Sequence, residues 1–233
     1  MNRSAGNTDT DTDTDTVLRH IVNDVQATLA LPRYTGAQPF MAQLSQLQAY
    51  QSARMRHTHR DWYATAADGL LLDFIVGDVY RGIDLTSLEG RLATAEKVLG
   101  TLFNDFELVQ AAAAFTAITS SLDDELAGLL ALTSGDAIDD LAYARAVRQQ
   151  NRLAERTRQG ALLLHFTRLL VALQEDRLAW RAIQWAKLPA HVAGFGGFHS
   201  LVSHGFATLR GVRDAADKVE QFIAVESAYF AGL

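Results

Sequence analysis

The residues with the greatest chemical potential lie in Asp73-Phe74-Ile75-Val76-Gly77-Asp78-Val79-Tyr80-Arg81-Gly82. Two carboxylates, a phenol and a guanidinium interrupt an apolar run, and such groups stay in an apolar helix only if they are paired or lie at its end. On an α-helix Asp73 and Asp78 are five positions apart, about 140° in rotation, so they do not share a face for acid–base work or metal binding. Asp78 is instead expected to pair with an arginine of the preceding helix, Arg54 or Arg60. With Tyr80 these form a structural polar cluster, and loss of one partner would cost about 3–5 kcal/mol.

A second candidate is a row of guanidinium groups. Arg145, Arg148, Arg152 and Arg156 are separated by steps of three, four and four, which places them on one helical face. Grouped guanidinium groups suit phosphate or carboxylate recognition. Asp139, Asp140 and Glu155 lie close enough in sequence to neutralise part of that charge. The row is therefore either a solvated ion-paired face or a site for a protein partner or small anionic ligand.

Other chemistries lack their spacing. The histidines His20, His57, His59, His165, His191, His199 and His204 include no His-Glu-x-x-His and no Glu-x-x-His, so no metal site is expected from a single helix. Ala193-Gly194-Phe195-Gly196-Gly197-Phe198 lacks the Gly-Lys-Ser/Thr ending of a phosphate loop and reads as a flexible corner, or as aromatics at a pocket mouth with His191 or His199. No Gly-x-Ser-x-Gly is present.

These residues need helices to position them. Only Pro32, Pro39 and Pro189 interrupt 233 residues, and the β-branched residues are scattered rather than alternating. The fold class is all-α, about eight helices in one bundle. Helices are expected over roughly 16–30, 39–64, 66–81 with Gly82 as the residue past its end, 84–103 and 105–132. This last segment is rich in alanine and has a possible break near Ser120-Ser121. The pattern from Asp136 to Trp185 is too long for one helix and is expected to break near 149–151 or at Gly160, and Leu188-Pro189 is expected to end it. Helices over about 197–210 and 214–230 follow. Residues 1–16, with their Thr-Asp alternation, are expected to be a disordered tail leading into the single helical domain 17–233.

Composition limits the function classes. The net charge is −6; the tail carries Asp9, Asp11, Asp13 and Asp15 against Arg3, or −3, which leaves −3 for the body. An acidic body is a poor partner for nucleic acid, and a helix-turn-helix near an acidic N-terminus is disfavoured. No cysteine is present, so thiolate chemistry and disulfides are out, in keeping with a cytoplasmic address. No run reaches 18 apolar residues, and no secretory leader is read at the start. The arginine excess, 18 of 21 basic residues, fits a GC-rich genome.

The segment from Phe74 to Tyr80, then Gly82, resembles a bacterial family of uncharacterised helical proteins with the motif Phe-Phe-Leu-x-Asp-Leu-Tyr-Gly. This chain departs from it with Ile75 for the second Phe and Arg81 before the glycine. The likeness continues through Tyr143 to Gln159, with Arg156 and Arg158, and from Leu188-Pro189-Ala190 through His204-Gly205-Phe206 to Glu226. The resemblance implies an all-helical bacterial cytoplasmic protein and no particular activity. Two functional classes follow: a non-enzymatic protein that binds a partner or small anion, or a haem-oxygenase-like or ferritin-like bundle holding a cofactor. No cofactor is predicted from the residues, and aromatic stripes on the last two helices would also suit a homodimer interface.

Overall fold

The computed structural model describes residues 8–36, 38–91, 107–130, 137–175, 181, 184–185, 187–192 and 194–233. It contains helices α1 (Thr8–Leu29), α2 (Pro32–Thr35), α3 (Gln38–Thr58), α4 (Ala66–Phe74), α5 (Glu107–Leu130), α6 (Asp140–Gln150), α7 (Leu153–Glu175), α8 (Lys187–Val192), α9 (Gly196–Leu209) and α10 (Ala215–Ala231). Short 3-10 turns occupy Arg60–Ala64 and Thr86–Leu88, and a π turn occupies Ile75–Val79. No strand occurs among the described residues, and eight of the helices have seven residues or more, as the sequence predicts.

The local chemistry explains most boundaries. The Thr65 hydroxyl caps α4 by accepting from the Asp68 N–H at 3.1 Å, and Asp139 caps α6 through the Ala142 N–H at 2.7 Å. Asn151 ends α6 in the left-handed conformation (φ 51°), which an asparagine tolerates, so the long pattern breaks where the sequence suggests. Gly82 (φ +80°) ends the π turn and supplies the conformation that a side chain would resist.

Four expectations shift. α1 extends back to Thr8, although the first residue described as buried on it is Leu18. α5 runs through Ser120-Ser121 without a break. Leu188-Pro189 lies within α8 rather than ending a helix. Of the helix expected over 84–103, the described part is a 3-10 turn at Thr86–Leu88 followed by turn residues to Arg91, and 92–103 lie outside the described residues.

α5 is the axis of the fold and packs on α1, α3, α6 and α7; α7 in turn packs on α9 and α10. Two apolar cores result. The larger takes Ile21, Leu72, Ile75, Phe115, Phe166, Leu170 and Phe222 among others; the smaller takes Leu44, Leu47, Leu126, Ala127, Tyr143 and Val147. Three helices serve both cores and change character between them. α5 goes from Phe115 through buried Thr116, Thr119, Ser120, Asp123 and Asp124 to Leu126. α3 goes from Leu47 through Gln48, Gln51 and Arg54 to Met55, and α10 from Phe222 through Glu226 to Tyr229. A polar belt thus separates the two cores.

Gly205 on α9 lies tightly against α4 and α7. A Cβ there would lie 2.7 Å from both Leu170 Cδ1 and Phe74 Cζ. Helix propensity alone favours Gly205→Ala by about 1 kcal/mol, but buried overpacking costs about 1–3 kcal/mol. The variant should lower the midpoint of chemical denaturation; an unchanged or raised midpoint would show that the contact yields freely.

Candidate functional site

The site is built where the polar belt reaches the surface, between α3 and the π turn. In the π turn the Tyr80 N–H reaches back five residues to the Ile75 carbonyl at 2.9 Å. A π turn within a helix re-aims every side chain after it and is frequent at functional sites. Here it buries Ile75, Val76 and Val79, sends Asp78 outward, and leaves Tyr80 and Arg81 beside α3. Between them lies a cleft of about 310 Å³ lined by Ser45, Gln48, Ser52, Arg56, Tyr80 and Arg81, among others. Gly77 also lines it, with the Arg56 guanidinium alongside.

The belt beneath the cleft is a set of buried ion pairs. Arg33 on α2 donates through Nε to Asp124 Oδ1 at 2.7 Å, its main-chain N–H reaches Asp124 Oδ2 at 2.8 Å, and Nη2 reaches the Ser120 carbonyl at 3.1 Å. The Arg33 and Asp124 side chains are 9% and 2% exposed, so the pair is desolvated. Asp123 sits 3.9 Å from Arg33 and accepts from Gln48 Nε2 at 3.1 Å. Burial raises the Asp123 carboxyl above its usual range, opposed by Arg33 and by the Gln48 bond.

Glu226 on α10 forms the second centre. It accepts from both terminal nitrogens of Arg54 and lies 3.0 Å from His59 Nε2. Burial pushes this carboxyl up, but the His59 and Arg54 hydrogen bonds outweigh it, and the net shift is downward. His59 is itself stacked on Phe222, with ring centroids 4.4 Å apart, and Arg54 lies over the Tyr229 ring. Tyr80 packs edge-on against Phe115; burial and the Glu226 charge raise its phenol well above the ordinary range, against Arg156 and Arg54.

The expected cluster of Arg54, Arg60, Asp78 and Tyr80 forms only in part. Arg54 and Tyr80 share the belt, but Arg54 has Glu226 for its carboxylate. The π turn carries Asp78 to the far side, where it meets His204 Nδ1 of α9 at 3.1 Å. Arg60 is exposed and donates to the His57 carbonyl at 3.4 Å. Asp73 pairs with Arg56 at 3.0 Å and accepts from the Tyr63 hydroxyl at 2.9 Å, so the two aspartates do take different partners.

The four arginines are not one face, because the break at Asn151 divides them. Arg145 is exposed on α6 and has no ion pair among the described residues. Arg148 donates to the main-chain oxygen of Leu233. Arg152 holds Glu155 at 2.7 Å and Glu125 at 3.5 Å. Arg156 turns inward, donating to Gln150 Oε1 at 2.7 Å beneath the Phe230 ring. Among the described residues no three metal-binding side chains gather at one point. The Gly194 corner packs on the 3-10 turn, where its carbonyl accepts from the Ser87 hydroxyl at 2.8 Å.

Sequence reasoning missed Arg33, Asp123, Asp124, His59 and Glu226. A signal existed for the aspartates: Leu122-Asp123-Asp124 stands inside an alanine- and leucine-rich helix, where paired acids demand a partner. Nothing local marks Arg33, 91 residues away from Asp124.

Residues 32–233 match the family described as Domain of unknown function (DUF8198). Among curated proteins and among solved structures, none matches the chain. No described helix is long and apolar enough to cross a membrane.

Glu226→Gln removes the charge that Arg54 and His59 share, and should cost about 3–5 kcal/mol at neutral pH. The folded carboxyl titrates below its unfolded value, so its stabilisation is present above the unfolded pKa and is lost as pH falls through the folded one. Urea titrations of both proteins should therefore converge toward acid; a gap that stays constant with pH would contradict the pairing.

Proposed function

We propose that this chain, which belongs to the family of DUF8198 domains, binds a small anionic ligand in the cleft between α3 and the π turn. The observation that carries the reading is Arg81. It lines the cleft and has no ion pair among the described residues, whereas Arg33, Arg54, Arg56 and Arg152 are each committed to a carboxylate. Arg56 adds to it, since Asp73 engages its Nε while its Nη2 lies near Gly77. A guanidinium next to neutral hydrogen-bonding groups matches a carboxylate or phosphate monoester better than a protein surface does. The cleft's volume of about 310 Å³ also fits a small molecule.

Binding of this kind needs no reaction. Among the described residues, no nucleophile with its base and no set of metal ligands lines the cleft. This favours a sensor or carrier over an enzyme, and it places the anion site away from the four arginines of α6 and α7.

A thermal-shift series with small carboxylates and phosphate monoesters tests the reading. A ligand at about 100 times its Kd should stabilise the protein by about 2.7 kcal/mol. The shift should vanish in Arg81→Glu and survive in Arg145→Glu. An equal shift in Arg81→Glu would remove the cleft as the site.

A further inference from the structure

We infer that the ligand of this cleft is a hydroxylated anion, a polyhydroxy acid rather than an apolar one, with Gln48 and Ser45 as the groups that make the distinction. The inference rests on the anion-binding reading above and goes beyond it, because it concerns the other end of the molecule.

The hydrogen-bonding positions already used inside the protein decide what the cleft can still offer a ligand. Gln48 meets Asp123 Oδ2 at 3.1 Å. A carboxylate only accepts, so the amide nitrogen makes that bond, and the carbonyl Oε1 is left without a partner among the described residues. Ser45 donates its hydroxyl hydrogen to the Met41 carbonyl at 2.8 Å, so its oxygen has only lone pairs left to offer. Gln51 repeats the pattern more weakly, with Nε2 at 3.5 Å from the Tyr143 hydroxyl. Along α3, Ser45 thus has only lone pairs left for a ligand, while Gln48 and Gln51 each keep an unused amide carbonyl beside one remaining N–H.

A simple fatty acid would leave these acceptors unpaired once water is expelled, which costs affinity. A ligand carrying donors satisfies them. An ammonium group would also donate, but Arg56 and Arg81 line the same cleft and repel a cation. Hydroxyl groups donate without charge and fit both constraints. The arginines then take the acid end and α3 takes the hydroxyls.

The test is calorimetric titration of the full chain with three six-carbon acids of equal carboxylate charge: gluconate, hexanoate and 6-aminohexanoate. Gluconate should bind roughly tenfold or more tightly than either of the others, the range expected for one or two added hydrogen bonds. Ser45→Ala, which disturbs no contact between helices, should narrow the preference for gluconate over hexanoate. Gln48→Leu should narrow it further where the protein stays folded by circular dichroism. Arg81→Ala should weaken gluconate and hexanoate alike. Equal binding of gluconate and hexanoate would overturn the hydroxyl assignment while leaving the anion site intact. Tighter binding of 6-aminohexanoate would overturn it in favour of an ammonium-bearing ligand. Failure of all three acids to bind would overturn the anion site as well.

Discussion

The arrangement depends on the placement of Arg33 against Asp124 and Asp123. Two adjacent carboxylates in the middle of the axial helix α5 cannot stay ionised away from water unless a cation comes to them. Arg33 does so from a helix of only four residues, meeting Asp124 with its guanidinium and its own backbone amide together. The same contact fixes neighbouring pieces. Tyr34, the next residue, accepts from the Leu85 N–H and bonds the Ile83 carbonyl, which ties down the segment after the π turn. Asp123 holds Gln48 and so sets α3. The two walls of the cleft are therefore both referred to one buried ion pair.

The belt around that pair is balanced in charge: Arg33, Arg54 and Arg156 face Asp123, Asp124 and Glu226. Desolvated pairs of this kind add little net stability compared with apolar packing, but they are costly to disrupt. They therefore favour one register of α3, α5 and α10 over sliding alternatives, since each helix changes from apolar to polar and back at a fixed level. The cleft is the place where the belt is not closed, with a guanidinium and several lone pairs turned outward. The contrast between carboxylates paired with arginines inside and a guanidinium without an ion pair at the mouth is the physical basis of the functional reading.

Much of the fold was legible in the sequence because helix ends are local chemistry. Asn151 and Gly82 end their segments where their backbone preferences predict. Proline was misread at 189, which lies within a helix. The motif from Asp73 to Gly82 reads as a regular helix, and a π turn leaves no reliable trace in residue spacing. That one irregularity redirects Asp78 to His204 and Tyr80 to the belt. The four arginines kept helical spacing across a break, so periodicity suggested a face that the backbone does not make. The belt itself joins residues as far apart as Arg54 and Glu226, and no reading of local pattern connects positions 172 residues apart.

A double-mutant cycle on Arg33 and Asp124 tests most directly whether this pair governs the structure. Stabilities of the native chain, Arg33→Met, Asp124→Asn and the double variant would be measured by urea unfolding. The account predicts that each single change costs about 3–5 kcal/mol and that the double change costs much less than their sum, a coupling of about 2–3 kcal/mol. Additivity within about 0.5 kcal/mol would mean the two side chains act independently, and the belt would lose its anchor.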